Sequence, residues 1–128
     1  MFVYSCQFFN SSKINFDSDS EINFISDSQF LEIQDSDFIL IDVRTNDEYE
    51  SGHIQNAVNF DFYSDSFQKE ILSLEKSSSV ILYCRTQNRS TKTAKFLKEN
   101  GYEEISVIEG GITSWLKNGN DIDFNFSE

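Results

Sequence analysis

The residue with the clearest claim to chemistry is Cys84, in the stretch Tyr83-Cys84-Arg85-Thr86-Gln87-Asn88-Arg89-Ser90. The apolar run Val80-Ile81-Leu82 before it reads as a buried strand. Thr91 to Asn100 after it reads as a helix, with Ala94 and Leu97 on one face and Lys92 and Lys95 on the other. Cys84 therefore falls where a strand ends, in a short polar turn that feeds a helix N-terminus. Unpaired N–H groups in such a turn point into the space it encloses and favour negative charge. Arg85 and Arg89 flank the loop with positive charge. The thiolate is the reactive form of cysteine, and this setting favours it. A small, inert core cysteine is the plain alternative, but a core cysteine needs no polar loop behind it.

The elements that would hold this loop alternate along the chain. Ile22 to Ile25 reads as a first strand. Ser26-Asp27-Ser28-Gln29 offers a capping box with Ile25 and Phe30 as a hydrophobic staple, so a helix is expected from Asp27. Phe38 to Ile41 is a continuous apolar run, the mark of a strand buried on both faces of a parallel sheet. It leads to Asp42 and Arg44. A short helix follows from Asn46, its acids suited to a helix start, with Gly52 as its stop. Ala57 to Phe60 reads as a strand, and Ser64 as the cap of a helix carrying Phe67, Ile71 and Leu74. Ile105 to Ile108 is one more strand. Gly110-Gly111 then turns into a helix with Ile112, Trp115 and Leu116 inward. The expected fold is α/β, a largely parallel five-stranded sheet with helices on both faces. The expected boundaries are an N-terminal extension over 1–20, a domain over 21–119 and an acidic tail over 120–128, with Ile122, Phe124 and Phe126 alternating as an edge strand or a frayed end.

The chain has 128 residues and a net charge of −12, which argues against nucleic acid or an anionic membrane as the main partner. Five of its ten basic residues (Arg85, Arg89, Lys92, Lys95 and Lys98) fall between Cys84 and Lys98, where no acid occurs. That makes a local positive field in an acidic protein, able to draw in small anions. Cys6 and Cys84, the two cysteines, fit no zinc spacing, so a reduced, cytoplasmic protein is expected. No run of about 18 apolar residues suggests a membrane span, and the N-terminus does not read as a signal peptide. His53 is the only histidine, and no metal site, Ser-His-Asp set or G-x-G-x-x-G pattern is visible.

Cys84-Arg85-Thr86-Gln87-Asn88-Arg89-Ser90 resembles the active-site loop of the single-domain rhodaneses, commonly C-R-x-G-x-R-S. Asp42-Val43-Arg44, Glu48-Tyr49 and Gly52-His53-Ile54-Gln55-Asn56-Ala57-Val58-Asn59 are similar to the D-V-R…E-Y…G-H-I-x-G-A-x-N block of that family. Gly101-Tyr102 and Val107-Ile108-Glu109-Gly110-Gly111-Ile112 with Trp115 resemble its G-Y…V-x-x-L-x-G-G-x-x-x-W ending. Gln87 and Asn56 depart from the pattern by standing where glycine is usual. If position 87 needs φ > 0, a glutamine there is strained by roughly 1 kcal/mol or more; its amide is also long enough to reach over the pocket, and glycine is expected to keep or raise turnover.

The resemblance implies a sulfurtransferase working through a Cys84 persulfide, with no cofactor and no metal. Its partners would be a small anionic sulfur donor such as thiosulfate and a thiophilic acceptor: cyanide in vitro, a small or protein thiol in vivo. Arg85, Thr86, Gln87, Asn88, Arg89 and Ser90 would form the substrate loop. Behind it, Arg44 and Glu48 are expected to pair while Asp42 caps backbone groups. The same fold also serves phosphatases of the cell-cycle type, some arsenate reductases and non-catalytic binding modules. In the phosphatases the resemblance points to five residues between cysteine and arginine, and here there are four.

Overall fold

In the computed structural model, which describes residues 22–124, five strands lie parallel in one sheet: β1 (Asn23–Ile25), β2 (Ile39–Asp42), β3 (Val58–Asn59), β4 (Ser79–Tyr83) and β5 (Glu104–Ile108). Their spatial order is β1-β5-β4-β2-β3, which puts β4 at the centre. Four helices connect them, α1 (Asp27–Glu32), α2 (Asn46–Glu50), α3 (Phe67–Ile71) and α4 (Asn88–Glu99), and a fifth, α5 (Gly111–Lys117), follows the last strand. This is the expected α/β architecture.

Strand periodicity decides which face receives the nucleophile. Alternate residues of a strand point to opposite faces. Val80, Leu82 and Cys84 accordingly join a core with Phe67, Ile71, Ala94 and Leu97 beneath α3 and α4. Ile81 and Tyr83 join Phe30, Ile112 and Trp115 on the other face, beneath α1 and α5. Both faces of β4 are thus covered, as a central parallel strand requires, and its carboxyl end delivers Cys84 to the rim.

The local expectation for α1 holds in detail. Ser26 caps α1 with the reciprocal Ser26–Gln29 capping box. Thr45 and Glu48 form a second box on α2. Other expectations need correction. Ser64 does not cap α3: Ser66 is the N-cap and makes no side-chain cap bond, while the Ser64 carbonyl and hydroxyl hold a preceding turn. Leu74 lies past the end of α3. α4 begins at Asn88 instead of Thr91, so Arg89 and Ser90 belong to its first turn. Leu116 is 48% exposed, because the inward face of α5 is filled by Ile112 and Trp115. Lys95 is half-buried and is not a freely solvated lysine.

The tail returns to the domain through one antiparallel bridge between His53 and Asp123. His53 stacks on Tyr49 at 3.9 Å, which gives it a structural place. Residues 1–21, with Cys6, and the tail beyond Phe124, with Phe126, lie outside the described residues, so the expectations for them stand as sequence readings only.

Candidate active site

Cys84 sits at the end of β4 with 1% of its surface exposed. Its Sγ accepts the Ser90 backbone N–H at 3.4 Å and lies 3.4 Å from Ser90 Oγ. Ser90 is in the first turn of α4, where N–H groups lack partners within the helix and the helix dipole favours negative charge. A sulfur anion at this position therefore has a donor aimed at it. Arg85, Thr86 and Asn88 are exposed at the mouth, while Gln87 and Arg89 are half-buried.

The floor of the loop is the start of α5. Ile112 N–H donates to Cys84 O and Thr113 N–H to Arg85 O, each at 3.0 Å. Gly110 N–H donates to Gln87 Oε1, also at 3.0 Å. Three N–H groups that a helix start would leave unpaired are thus satisfied by the cysteine loop. Gly111 makes this close approach feasible. A Cβ built on it would collide with Cys84 O and stand 2.5 Å from Thr86 O.

Behind the loop lies a buried ion pair. Asp42 (0% exposed) accepts both the Arg44 backbone N–H, at 2.8 Å, and its guanidinium, at 2.7 Å. Arg44 also donates to Gly52 O at 2.6 Å. Burial by itself lowers the Arg44 pKa, but the hydrogen bonds and charge of Asp42 outweigh it, and the net shift is upward. Tyr83 lies under the Arg44 guanidinium at 5.7 Å and its hydroxyl accepts Ile54 N–H. Burial first, and the Asp42 charge second, push its phenol far upward, so it stays protonated.

The expected Arg44–Glu48 pair does not form. Arg44 folds back onto Asp42 two residues earlier, and Glu48 instead takes Arg89 in a two-pronged contact at 2.8 and 3.2 Å. Glu48 also closes the α2 capping box. The hydrogen bond from Arg89 is the main reason its carboxyl is lowered from 4.5 to about 2. A depressed carboxyl contributes stability that is fully present above its unfolded pKa and is lost as pH falls through the folded one. The stability difference between the wild type and Glu48→Gln should therefore be constant at neutral pH and shrink between about pH 4.5 and about pH 2. Urea midpoints of both proteins across that range measure it; a difference that grows on acidification contradicts the pairing.

The comparisons with known proteins agree with this fold. The family described as "Rhodanese-like domain" matches residues 26–118. The chain belongs to the rhodanese-like domain family. A rhodanese-related protein from Thermoplasma volcanium superposes with a TM-score of 0.72 at 26% identity, covering 80% of this chain and 99% of that one. The polysulfide-sulfur transferase of Wolinella succinogenes has a TM-score of 0.68 and covers 90% of this chain and 91% of that one; at 22% identity it speaks to the fold alone. Among curated proteins, the tRNA uridine(34) hydroxylase of Escherichia fergusonii is 32% identical over 83 residues, which are 62% of this chain. The chain spans about a quarter (24%) of the length of that relative.

Within the rhodanese-like domain, the two departures from the glycine pattern behave differently. Asn56 has φ 73° and is the one non-glycine residue with positive φ among the described residues. Asparagine tolerates that region better than most. Gln87 has φ −157°, well outside the left-handed region, so the strain expected of a positive φ is absent. Its side chain is engaged in holding Gly110 instead. The expectation that Gln87→Gly preserves or improves the site is reversed. Loss of one such hydrogen bond is worth about 1 kcal/mol, so Gln87→Ala should speed hydrogen exchange of the Gly110 amide about fivefold. Gln87→Glu, which keeps an acceptor, should restore protection; equal exchange in all three proteins would show that the clasp contributes nothing.

Cys84, Arg89, Ser90, Gln87 and Glu48 are brought together around one loop, with Asp42 and Arg44 one layer behind. Tyr63 was not legible from sequence: it is 68% exposed, and its ring lies 5.7 Å from the Arg89 guanidinium. Gly111 had a signal in the Gly110-Gly111 pair, but its contact with the cysteine loop had none.

Proposed function

We propose that this rhodanese-like domain is a sulfurtransferase that carries sulfane sulfur as a persulfide on Cys84. The observation that carries the reading is the Ser90 N–H donated to Cys84 Sγ at the start of α4. In the first half-reaction the Cys84 thiolate attacks the outer sulfur of thiosulfate. A new S–S bond forms on Sγ, the sulfur–sulfur bond of thiosulfate breaks, and sulfite leaves with the electron pair. In the second, a thiol or cyanide takes the outer sulfur and the electron pair returns to Sγ as thiolate. No external oxidant or reductant is needed, and no cofactor enters. Donor N–H groups held in place before reaction are the main means of stabilising such an anion.

The two arginines would divide the work. Arg89 is tied to Glu48 and packed beside Tyr63, which suits it to shaping the loop. Exposed Arg85 is the freer of the two to meet an anionic donor at the mouth. A free thiolate suits a reducing compartment such as the cytoplasm.

The six-residue loop from Cys84 to Arg89 favours sulfur over phosphate, because a single sulfur atom needs donors converging on one point while a phosphoryl group presents three oxygens. Retention of Cys84 and both arginines favours catalysis over a purely binding role. Hydroxylation of tRNA has less support, since the match reaches about a quarter (24%) of the hydroxylase and a net charge of −12 repels a polyanion. The test is a paired assay: thiocyanate formation from thiosulfate and cyanide, and hydrolysis of an aryl phosphate. Transfer with negligible hydrolysis is expected; Cys84-dependent hydrolysis without transfer would overturn the assignment.

A further inference from the structure

Beside the cysteine loop runs a groove that thiosulfate has no use for. It encloses about 450 Å³ between α3 and α4, with Phe62, Phe67 and Phe96 as its apolar lining and Lys92 and Asp65 as its charged groups. That volume lies within the range of small-molecule sites, which are mostly apolar with a few placed polar groups. Two features link the lining of the groove to the catalytic loop. Arg89, Lys92, Thr93 and Phe96 fall at i, i+3, i+4 and i+7 on α4 and so share one helix face, with neighbours about 5–6 Å apart. On the other wall, Phe62 meets Tyr63 edge-on at 5.2 Å, and Tyr63 in turn packs beside Arg89.

The charges decide what fits. Lys92 is exposed and forms no ion pair among the described residues, and it stands 27 residues from Asp65 in sequence without bonding to it. It belongs to the stretch from Cys84 to Lys98 that contains no acid. An ammonium on the rim of a phenylalanine-lined groove complements a carboxylate on a hydrocarbon body.

We propose that this groove is the acceptor subsite, taking a low-molecular-weight thiol with an apolar body in contact with Phe62, Phe67 and Phe96 and a carboxylate on Lys92. The proposal rests on the sulfurtransferase reading. The acceptor thiolate attacks the outer sulfur of the Cys84 persulfide, a new sulfur–sulfur bond forms on the acceptor, and the bond to Sγ breaks with its electron pair left on Sγ. Asp65 opposes the carboxylate, so Lys92 and Asp65 set acceptor charge preference in opposite directions.

The test compares α-mercapto-β-phenylpropionate with its neutral amide as acceptors from preformed persulfide in single turnover. Lys92→Gln should lower the carboxylate-to-amide rate ratio about fivefold, and Asp65→Asn should raise it. Phe96→Ala should slow both phenyl thiols relative to mercaptoethanol. A ratio indifferent to Lys92 and Asp65 would overturn the proposal while leaving the persulfide chemistry intact. Binding of β-phenylpropionate, which lacks the thiol, is followed in the unmodified protein through the amide resonances of Lys92, Thr93 and Phe96. This arm works even if no persulfide forms. Saturable shifts weakened by Lys92→Gln support the subsite, and no shift at those residues overturns it.

Discussion

Cys84→Ser should lose thiosulfate-to-cyanide transfer by about 10⁴-fold or more, the scale on which removal of a nucleophile acts. A serine hydroxyl at this position is still offered the Ser90 N–H that now donates to Sγ, so the loop should keep its hydrogen bonds. Stability should change by no more than about 1 kcal/mol, because the change in volume is small and the polar atom has a partner. What is lost is the chemistry: an alcohol is a weak nucleophile and holds no persulfide. Cys6→Ser should leave transfer nearly intact, since the anion-stabilising loop is the stretch that begins at Cys84 and Cys6 lies outside that stretch of sequence. Steady-state thiocyanate production of the two variants distinguishes the cases, and equal losses would end a one-cysteine mechanism.

Gly111→Ala should be the most damaging substitution outside the nucleophile. The residue has φ +56°, a conformation that costs an L side chain roughly 1–2 kcal/mol. The larger effect is contact. The new methyl would strike Cys84 O and stand 2.5 Å from Thr86 O. These are backbone atoms, so the loop itself must move. A shift of even about 1 Å in a positioned nucleophile costs about 10²-fold in rate. We expect a loss of stability of about 3 kcal/mol together with that loss of kcat/KM. Gly119→Ala is the control: its φ is +83° with nothing within 4 Å, so it should cost about 1 kcal/mol and leave transfer unchanged. Full activity and stability in Gly111→Ala would show that the α5 floor does not position the loop.

The fold was legible because each signal was local and redundant. Ser26 and Gln29 announce a helix start through a pattern that both form and close, and the apolar run ending at Ile41 allows little besides a central parallel strand. The site was legible at Cys84 because strand, polar loop and helix meet there. What sequence concealed was partnership. Arg44 had Asp42 and Glu48 within reach along the chain, and only the third dimension assigns it to Asp42 and gives Glu48 to Arg89, 41 residues away. Gln87 is concealed for a related reason: a glycine pattern suggests a positive φ, whereas the observed φ is −157° and the side chain reaches 23 residues ahead to Gly110. The start of α4 is hard to read because Asn88 and Ser90 are weak helix formers, which the first turn tolerates here with the Ser90 N–H facing the Cys84 sulfur. Tyr63 carried no signal, since its approach to Arg89 depends on how the turn after β3 folds.

The most direct measurement is the intact mass of the protein after treatment with thiosulfate and removal of excess donor. The account predicts a gain of one sulfur atom, localised to the peptide containing Cys84, reversed by cyanide with release of thiocyanate and absent in Cys84→Ser. An unchanged mass under donor concentrations that load other persulfide-forming thiols, or a gain that persists in Cys84→Ser, would contradict it.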